Sequence, residues 1–281
     1  MMQNKDSISN TFQVAGVLCL VCALLVSATA LGLRDLQKTN VALDKKKNIL
    51  QVAGYSPEAV EKLSSAEIDA IFDGTDALTH IEDMLVELAT GEILADARQT
   101  DLLEKVGLTD GSSLEEFDQE LLVKDKQWGT DVSGDVNIGL RRRETVSHVY
   151  RVTNKKKNEI TRYVFPVKGK GLWSTLMGYL AVDANFEKIE GLTFYSHKET
   201  PGLGGEVDNP KWKKLWEGRL IQNDSGELPK DYVVKGAPGS DNKNAVSGLS
   251  GATITSKGVS NLVKYWLGDN GFGKFIDNTK K

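Results

Sequence analysis

The chain has 281 residues, of which 40% are hydrophobic and 26% charged, a composition that argues against wholesale disorder and against a protein with many membrane spans. Its 35 basic and 39 acidic side chains give a net charge of −4, which argues against a nucleic-acid-binding protein, since that class is normally basic. The two cysteines cannot form a disulfide framework. The length leaves room for one membrane anchor and one or two soluble domains.

A segment without any charged residue, 12–33, follows a short N-terminal tail, 1–11. As a helix it would be about 33 Å long, enough to cross a bilayer core of about 30 Å, so we predict a transmembrane helix. A cleaved signal peptide is the alternative, because Ala28-Thr29-Ala30 resembles a cleavage site. The apolar run continues past Ala30 and the tail is not basic, which favours an uncleaved anchor.

The basic residues near the anchor argue for one orientation without fixing it. Lys5 precedes the segment, whereas basic residues follow it at positions 34, 38 and 45–47. The positive-inside rule therefore leans towards a cytoplasmic C-terminal part, although large domains can be translocated regardless of such a bias. Within the anchor, Cys19 and Cys22 are interpreted as small apolar residues rather than as a redox or metal pair.

Residues 34–121 are predicted to form a membrane-proximal, acidic helical region. A helix leaving the membrane should stop at Gly54-Tyr55, and Ser56-Pro57 is typical of the start of the next helix. Between 58 and 120, eighteen acidic residues face three basic ones, for a net charge of −15. The apolar residues there predict an amphipathic helix whose other face is solvated: Leu78, Ile81, Met84, Leu85 and Leu88.

Residues 122–281 change to a strand-and-turn pattern. Apolar and polar residues alternate over 146–152, a turn is indicated at 154–158, and a second strand is predicted over 160–167, with short strands at 180–182 and 192–195. A final helix is predicted from Thr255 or Ser256 to Gly268. Because helices precede strands and a helix closes the chain, we predict an α+β fold with a single N-terminal transmembrane helix.

The sequence SGATITS, 250–256, places glycine and hydroxyl residues at the start of that final helix. A helix N-terminus can bind a phosphate, but the same residues can also be ordinary caps, and the pattern leaves both open. PGLGG, 201–205, would let the backbone approach a ligand closely. Dinucleotide, P-loop and hydrolase motifs are missing and the three histidines are dispersed, so no catalytic or metal-binding residue is assigned.

Five stretches give a stronger indication, and they span nearly the whole chain: LGLRDLQKTN (31–40), KGLWSTLMGYLA (170–181), KETPGLGGEV (198–207), SGLSGATITSKGV (247–259) and YWLGDNGFGKF (265–275). With these motifs the sequence resembles the C subunits of the sodium-translocating NADH:quinone reductases. The resemblance implies a membrane-anchored α+β protein with an FMN-binding domain, here 122–281.

The resemblance also implies where the flavin is bound. FMN would be attached to Thr253 through a phosphoester, with Thr255 as the nearest rival, by a separate flavin transferase. The usual transferase target has an Asp six residues before the acceptor, where this chain has Ser247. The other residues expected at the cofactor supply close backbone approach, apolar contact or hydrogen bonds: Ser250, Gly251, Ala252, Trp173, Ser174, Glu199, Thr200, Gly202, Leu203, Gly204, Gly205 and Lys235.

The implied role is that of an electron carrier in a complex that oxidises NADH, reduces ubiquinone and moves sodium. The flavin would accept electrons from the iron centre of the D and E subunits and pass them to the flavin of the B subunit, with the domain on the periplasmic face of the inner membrane. This chain lacks an NADH fingerprint, so it should not oxidise NADH alone. The alternatives are the G subunit of an Rnf-type electron-transport complex and a membrane-anchored assembly module without a cofactor.

Overall fold

The computed structural model describes residues 8–105 and 118–280; predictions for 1–7 and 106–117 lie outside the described residues. The chain divides into two compact units between Lys45 and Lys46. Seven α-helices lie in the described ranges: α1 (Ile8–Val52), α2 (Pro57–Lys62), α3 (Ser65–Phe72), α4 (Asp96–Lys105), α5 (Pro210–Lys214), α6 (Thr253–Leu267) and α7 (Gly273–Thr279). Two 3-10 segments cover Gln119–Lys124 and Gly204–Asp208.

The strands within 8–105 and 118–280 are β1 (Thr79–Glu87), β2 (Glu92–Ile93), β3 (Gly129–Asp131), β4 (Arg142–Glu144), β5 (Val146–Asn154), β6 (Glu159–Lys170), β7 (Thr175–Asp183), β8 (Lys188–Ser196), β9 (Arg219–Leu220), β10 (Val233–Val234) and β11 (Val246–Ser247). Seven of them form an antiparallel sheet in the order β2-β1-β5-β6-β7-β8-β9. The pairs β3–β4 and β10–β11 form two small sheets. The predicted α+β fold is confirmed.

The first part of α1 is an apolar helix, Ile8–Arg34, long enough to cross a membrane. Its large apolar side chains are exposed, as expected for a lipid-facing surface, and Cys19 and Cys22 are exposed among them. The helix ends at Val52, and Gly54 adopts φ +110°, a conformation that favours glycine. Ser56 then caps α2 by accepting a hydrogen bond from the N–H of Ala59, as predicted.

The main core lies between one face of the sheet and the C-terminal helices. Phe165 of β6 stacks on Phe272 at 4.4 Å between ring centroids, and Trp266 of α6 is fully buried. The indole N–H of Trp266 donates to the carbonyl of Lys168 at 2.8 Å. This polar contact within an apolar core fixes α6 along β6, which sets the position of the α6 N-terminus.

The opposite face of the sheet is covered partly by the residues that end α1. Thr193 of β8 donates to the Asn48 side chain at 3.2 Å, and Arg162 of β6 donates to the carbonyl of Val52 at 2.8 Å. On the same face, His148 lies 2.8 Å from a carboxylate oxygen of Asp83.

The predicted amphipathic helix around residues 78–88 is wrong, because this segment is strand β1. Met84, Val86 and Leu88 join the main core, whereas Ile81 and Leu85 are buried on the other side. A strand that is buried on both faces lacks the apolar–polar alternation that identifies a strand. The boundary predicted between 121 and 122 stays a prediction, although β1 belongs to the same sheet as β5.

The remaining strand predictions of the C-terminal part are confirmed. Segments 146–152, 160–167, 180–182 and 192–195 lie in β5, β6, β7 and β8, and the turn at 154–158 joins the first two strands. Helix α6 begins at Thr253, two or three residues before the start predicted at Thr255 or Ser256, and is capped by Gly268 as expected.

Candidate functional site

Three segments of the sequence motifs meet at the N-terminus of α6: the loop 171–174 after β6, the loop 197–205 after β8, and the turn 250–253. Glycine makes the close packing of α6 on β6 possible. A Cβ on Gly258 would lie 2.3 Å from the carbonyl oxygen of Lys170, and one on Gly169 would lie 3.1 Å from the side chain of Leu262. Because no larger residue fits at 258, the helix start is held against the end of β6.

The carboxylate of Glu199 joins these three segments. It accepts hydrogen bonds from the backbone N–H of Trp173 at 2.9 Å, of Ser174 at 3.2 Å and of Leu172 at 3.2 Å. It also accepts a hydrogen bond from the hydroxyl of Thr255 at 2.6 Å. The residue is only 5% exposed, so four protein donors replace its water shell.

These contacts determine the charge state of the buried carboxyl. Burial alone would raise the pKa of Glu199, but the hydrogen bond from Thr255 and those from the backbone N–H of Trp173, Ser174 and Leu172 outweigh it and lower the pKa below its ordinary value. Glu199 is therefore an ionised carboxylate at neutral pH. Both of its oxygens accept hydrogen bonds from protein groups, so the carboxylate links the loop 171–174 and the first turn of α6 to the loop 197–205.

Two glycines make room for this carboxylate and a third shapes the turn. A Cβ on Gly171 would lie 2.6 Å from one oxygen of Glu199, and a Cβ on Gly204 would lie 2.8 Å from the other. Gly251 adopts φ +71°, and a Cβ there would lie 2.9 Å from the side chain of Leu203. The loop 197–205 and the turn before α6 are thus in contact, as a shared ligand site requires.

The first turn of α6 contains two threonines in different environments. Ala252 is the N-cap residue and provides no side-chain cap, so the leading N–H groups face the site. Thr253 is exposed, and within the described residues its hydroxyl makes no hydrogen bond. Thr255 is 1% exposed, and its hydroxyl donates to Glu199. The hydroxyl of Thr253 is therefore accessible for reaction with a ligand, whereas the hydroxyl of Thr255 is buried.

Large apolar side chains are exposed around Thr253. Trp173 is 66% exposed, Ile254 58%, and Leu172 and Leu203 are each 44% exposed. Leu172 and Trp173 belong to the first segment, Leu203 belongs to the second, and Ile254 directly follows the third in the first turn of α6, whose leading N–H groups lack a side-chain cap. An apolar rim next to an anion-binding helix end suits a ligand that joins a planar ring to a phosphate.

Buried residues outside the predicted set hold the turn 247–252 in place. The indole N–H of Trp212 donates to the carbonyl of Ser247 at 2.9 Å, and the hydroxyl of Ser256 accepts from the N–H of Leu249 at 2.9 Å. The hydroxyl of Ser260 accepts from two N–H groups of the segment 232–233. The i, i+4 spacing of the two serines on α6 signals a shared face, whereas nothing in the sequence marks Trp212.

The other predicted site residues lie around these segments. The Ser174 hydroxyl accepts from the N–H of Lys198 at 2.7 Å, and the carbonyl of Thr200 accepts from the N–H of Gly205 at 2.9 Å. Ser250 and Gly202 are exposed on the turns. Lys235 is exposed and follows β10, which pairs with β11 just before the motif, so it lies beside the site but outside the three segments.

The histidines are not gathered into a metal site. Across 8–105 and 118–280, no cluster of histidine, cysteine and acidic side chains could hold a metal ion. His148 contacts Asp83, and His197 contacts Asp208 through Nε2 at 2.7 Å.

Comparison with known proteins identifies the domain that contains these three segments. Residues 171–268, which contain all three segments, match the family model of the FMN-binding domain. The chain is 36% identical over 280 residues to the C subunit of the Na(+)-translocating NADH-quinone reductase of Yersinia pestis, covering 99% of this chain and 96% of that protein. It is 37% identical to the same subunit of Pseudomonas aeruginosa, covering 100% of this chain and 99% of that protein.

A solved structure agrees with these relatives. The crystal structure of Shewanella oneidensis NqrC matches with a TM-score of 0.68 at 27% sequence identity, covering 84% of this chain and 95% of that chain. The resemblance drawn from the motifs is therefore confirmed, and the apolar helix α1 is consistent with anchoring in a membrane complex. The chain belongs to the family of C subunits of Na(+)-translocating NADH-quinone reductases and contains its FMN-binding domain.

Proposed function

We propose that this protein carries FMN covalently, through a phosphoester to the hydroxyl oxygen of Thr253, and acts as an electron carrier within the reductase. The observation that carries the proposal is the contrast between the two threonines of the first turn of α6. The Thr253 hydroxyl is exposed at a helix start, whereas the Thr255 hydroxyl is buried and donates to Glu199. Only the Thr253 hydroxyl can accept a phosphoryl group without loss of the hydrogen bond between Thr255 and Glu199.

The surroundings of Thr253 fit both halves of FMN. The uncapped N–H groups of α6 and the helix dipole favour a phosphodiester next to residue 253. Trp173 and Leu203 offer exposed apolar surface for the ring system. In this proposal Glu199 orients the three segments, and the exposed residues Thr200, Gly202, Ser250 and Lys235 are available to polar groups of the cofactor. Gly204 and Gly205 leave no room for a side chain, so they keep the loop packed close to Thr255 and Thr200.

Attachment should depend on a separate flavin transferase. A threonine hydroxyl is a weak nucleophile that needs a base or other activation. Within the described residues, no carboxylate or histidine contacts the Thr253 hydroxyl, so the chain offers no base for self-attachment. A transferase that works outside the cytoplasm can modify only a domain on the periplasmic side of the inner membrane, so we place the domain there. The basic residues that follow the anchor favour the opposite orientation by the positive-inside rule.

The proposed electron path runs from the iron centre of the D and E subunits, through this flavin, to the flavin of the B subunit and finally to quinone. The bound FMN supplies the redox chemistry, and the residues of this chain hold and orient it. The sequence has no dinucleotide-binding fingerprint, so NADH oxidation is assigned to another subunit. Sodium translocation likewise belongs to the complex, since a single membrane helix is too little to form an ion path.

The test is a denaturing gel of full-length protein from its native host, viewed under ultraviolet light, with intact mass measured in parallel. Wild type should show a flavin band and the added mass of one FMN. Thr253→Val should lose both, whereas the matched variant Thr255→Val should keep both. A band that survives in Thr253→Val and disappears in Thr255→Val would move the acceptor to residue 255.

The same gel discriminates the rival functions. A wild-type protein without flavin, made with the transferase present, would support a cofactor-free assembly module and overturn the proposal. A flavoprotein that purifies with an Rnf-type complex instead of the reductase would support the G-subunit alternative. Ser247→Asp restores the acidic residue expected six positions before the acceptor, so it should raise the modified fraction if the transferase reads that position.

A further inference from the structure

A histidine beside the site makes two hydrogen bonds that fix the orientation of its ring. The backbone N–H of Glu199 donates to Nδ1 of His197 at 3.2 Å, so Nδ1 is an unprotonated acceptor. The opposite nitrogen, Nε2, lies 2.7 Å from Oδ2 of Asp208 and carries the proton that it donates to this carboxylate. The two hydrogen bonds therefore hold the ring from opposite sides, and the His197 side chain is 13% exposed.

We infer that His197 is a positioning residue of the flavin site, which fixes the backbone of Glu199 and, through Glu199, the walls around Thr253. The inference rests on the proposed attachment of FMN to that threonine. The His197 side chain is not among the exposed side chains that surround Thr253 directly. It acts through one hydrogen bond to the residue whose carboxylate joins all three segments.

The contacts form a continuous series from the protein surface to the first turn of α6. Asp208, 51% exposed, orients the ring of His197, and the ring holds the N–H of Glu199. The carboxylate of Glu199 then binds the N–H of Trp173 and the hydroxyl of Thr255. A shift of the Glu199 backbone therefore moves an exposed aromatic side chain and loosens the helix turn that carries the acceptor.

Histidine is suited to this position because one rigid ring carries both groups. Nδ1, near the backbone, accepts from the N–H of Glu199, and Nε2, farther out, donates to Asp208. Asparagine places an oxygen where histidine has Nδ1, so it can still accept from the N–H of Glu199 but does not reach Asp208. Glutamine places an amide nitrogen where histidine has Nε2, so it can still donate to Asp208 but offers no acceptor at the Nδ1 position. The two substitutions separate the two hydrogen bonds of His197.

The experiment compares full-length His197→Asn, His197→Gln and wild type in detergent, with His80→Asn as the matched control. His80 lies on β1, which is separated from β8 by three strands of the sheet. Hydrogen exchange of the backbone amides over 197–205 is the first readout, and fluorescence anisotropy of the attached flavin is the second. Intact mass reports separately whether FMN is attached.

We expect amide exchange at Glu199 to be about fivefold to tenfold faster in His197→Gln, the effect of losing one hydrogen bond. In His197→Asn, which keeps the acceptor, exchange should stay within about twofold of wild type, and flavin anisotropy should fall in His197→Gln alone. Asp208→Asn, a change at an exposed side chain, should give an intermediate effect.

Two results would overturn the inference: equal exchange and anisotropy in His197→Gln and wild type, or equal disturbance in His197→Asn and His197→Gln. The exchange readout needs no flavin, so it decides the role of His197 even if the mass shows no FMN in wild type. That mass result would overturn the proposed function alone.

Discussion

Replacing Glu199 by glutamine should destabilise the domain through a mismatch of donors. One carboxylate oxygen accepts from the N–H groups of Trp173 and Ser174, and the other accepts from Thr255 and the N–H of Leu172. Glutamine has one oxygen and one NH₂ group, so either the N–H groups of Trp173 and Ser174 or the N–H of Leu172 lose their acceptor, while the Thr255 hydroxyl can turn and accept from the NH₂. Each lost hydrogen bond to a charged group is worth about 1.5–3 kcal/mol, and the exposed loop donors can turn to water, so we expect a loss of about 3 kcal/mol.

The loss of unfolding free energy in Glu199→Gln should depend on pH. The pKa of Glu199 lies below its ordinary value of 4.5 because the donated hydrogen bonds outweigh burial. A carboxyl whose pKa is lowered in the folded state stabilises the fold above its unfolded pKa, and this contribution disappears as the pH falls through the folded pKa. Wild type should therefore lose its advantage over Glu199→Gln progressively in acid, as the pH falls below 4.5 and through the lower pKa of the folded state, where the carboxyl becomes neutral.

Urea unfolding of the full-length chain in detergent, followed by tryptophan fluorescence, measures both effects. Glu217→Gln, a neutralisation at an exposed position, serves as the control and should leave the free energy of unfolding within about 0.5 kcal/mol of wild type. A difference for Glu199→Gln below about 1 kcal/mol at neutral pH, or one of equal size in acid, would refute the reasoning that this carboxylate joins the three segments.

Three further predictions concern packing around the site. Thr255→Val keeps the side-chain shape but removes the shortest donor to the carboxylate, so the free energy of unfolding should fall by about 1–2 kcal/mol. Gly258→Ala should cost about 1–3 kcal/mol and lower the midpoint of thermal unfolding, since the new Cβ would lie 2.3 Å from a carbonyl oxygen of β6, whereas Gly239→Ala, with open space around it, should not. Lys168→Met removes the cation 2.6 Å from the fully buried Glu144 and should cost about 3–5 kcal/mol by urea unfolding, with partial recovery when Glu144 is also replaced by leucine.

The parts of the fold that could be predicted from the sequence are those with local causes. The end of α1 at Gly54 and the cap at Ser56 depend on backbone conformation and on one neighbouring N–H, so they are visible in short windows. Strand β5 keeps a recognisable alternation because polar residues at 147, 151 and 153 lie on one face, where Val149 is the apolar exception. In β1 both faces are buried, and its apolar residues then match a helical spacing equally well.

The segments of the candidate site could be selected from the sequence, whereas their arrangement could not. The motifs pointed to the loops 171–174 and 199–205 and to the turn before α6, which the structure brings together. That the oxygens of Glu199 are occupied by protein donors could not be seen, because Thr255 lies 56 positions away along the chain. A contact at that separation depends on the packing of α6 on β6, which leaves no local pattern.

Packing and buried hydrogen bonds account for four residues of the motif, Gly251, Ala252, Thr255 and Ser256, but not for the hydroxyl of Thr253. Gly251 adopts a positive φ against Leu203, Ala252 is buried, and Ser256 holds the N–H of Leu249. Thr253 is exposed and, among the described residues, its side chain forms no hydrogen bond, so a stable fold alone does not require a hydroxyl there. A hydroxyl without a structural role, at the positive end of a helix in an FMN-binding domain, is what the proposed attachment of FMN to Thr253 requires. The same argument predicts that Thr253→Val leaves stability unchanged while it removes the flavin.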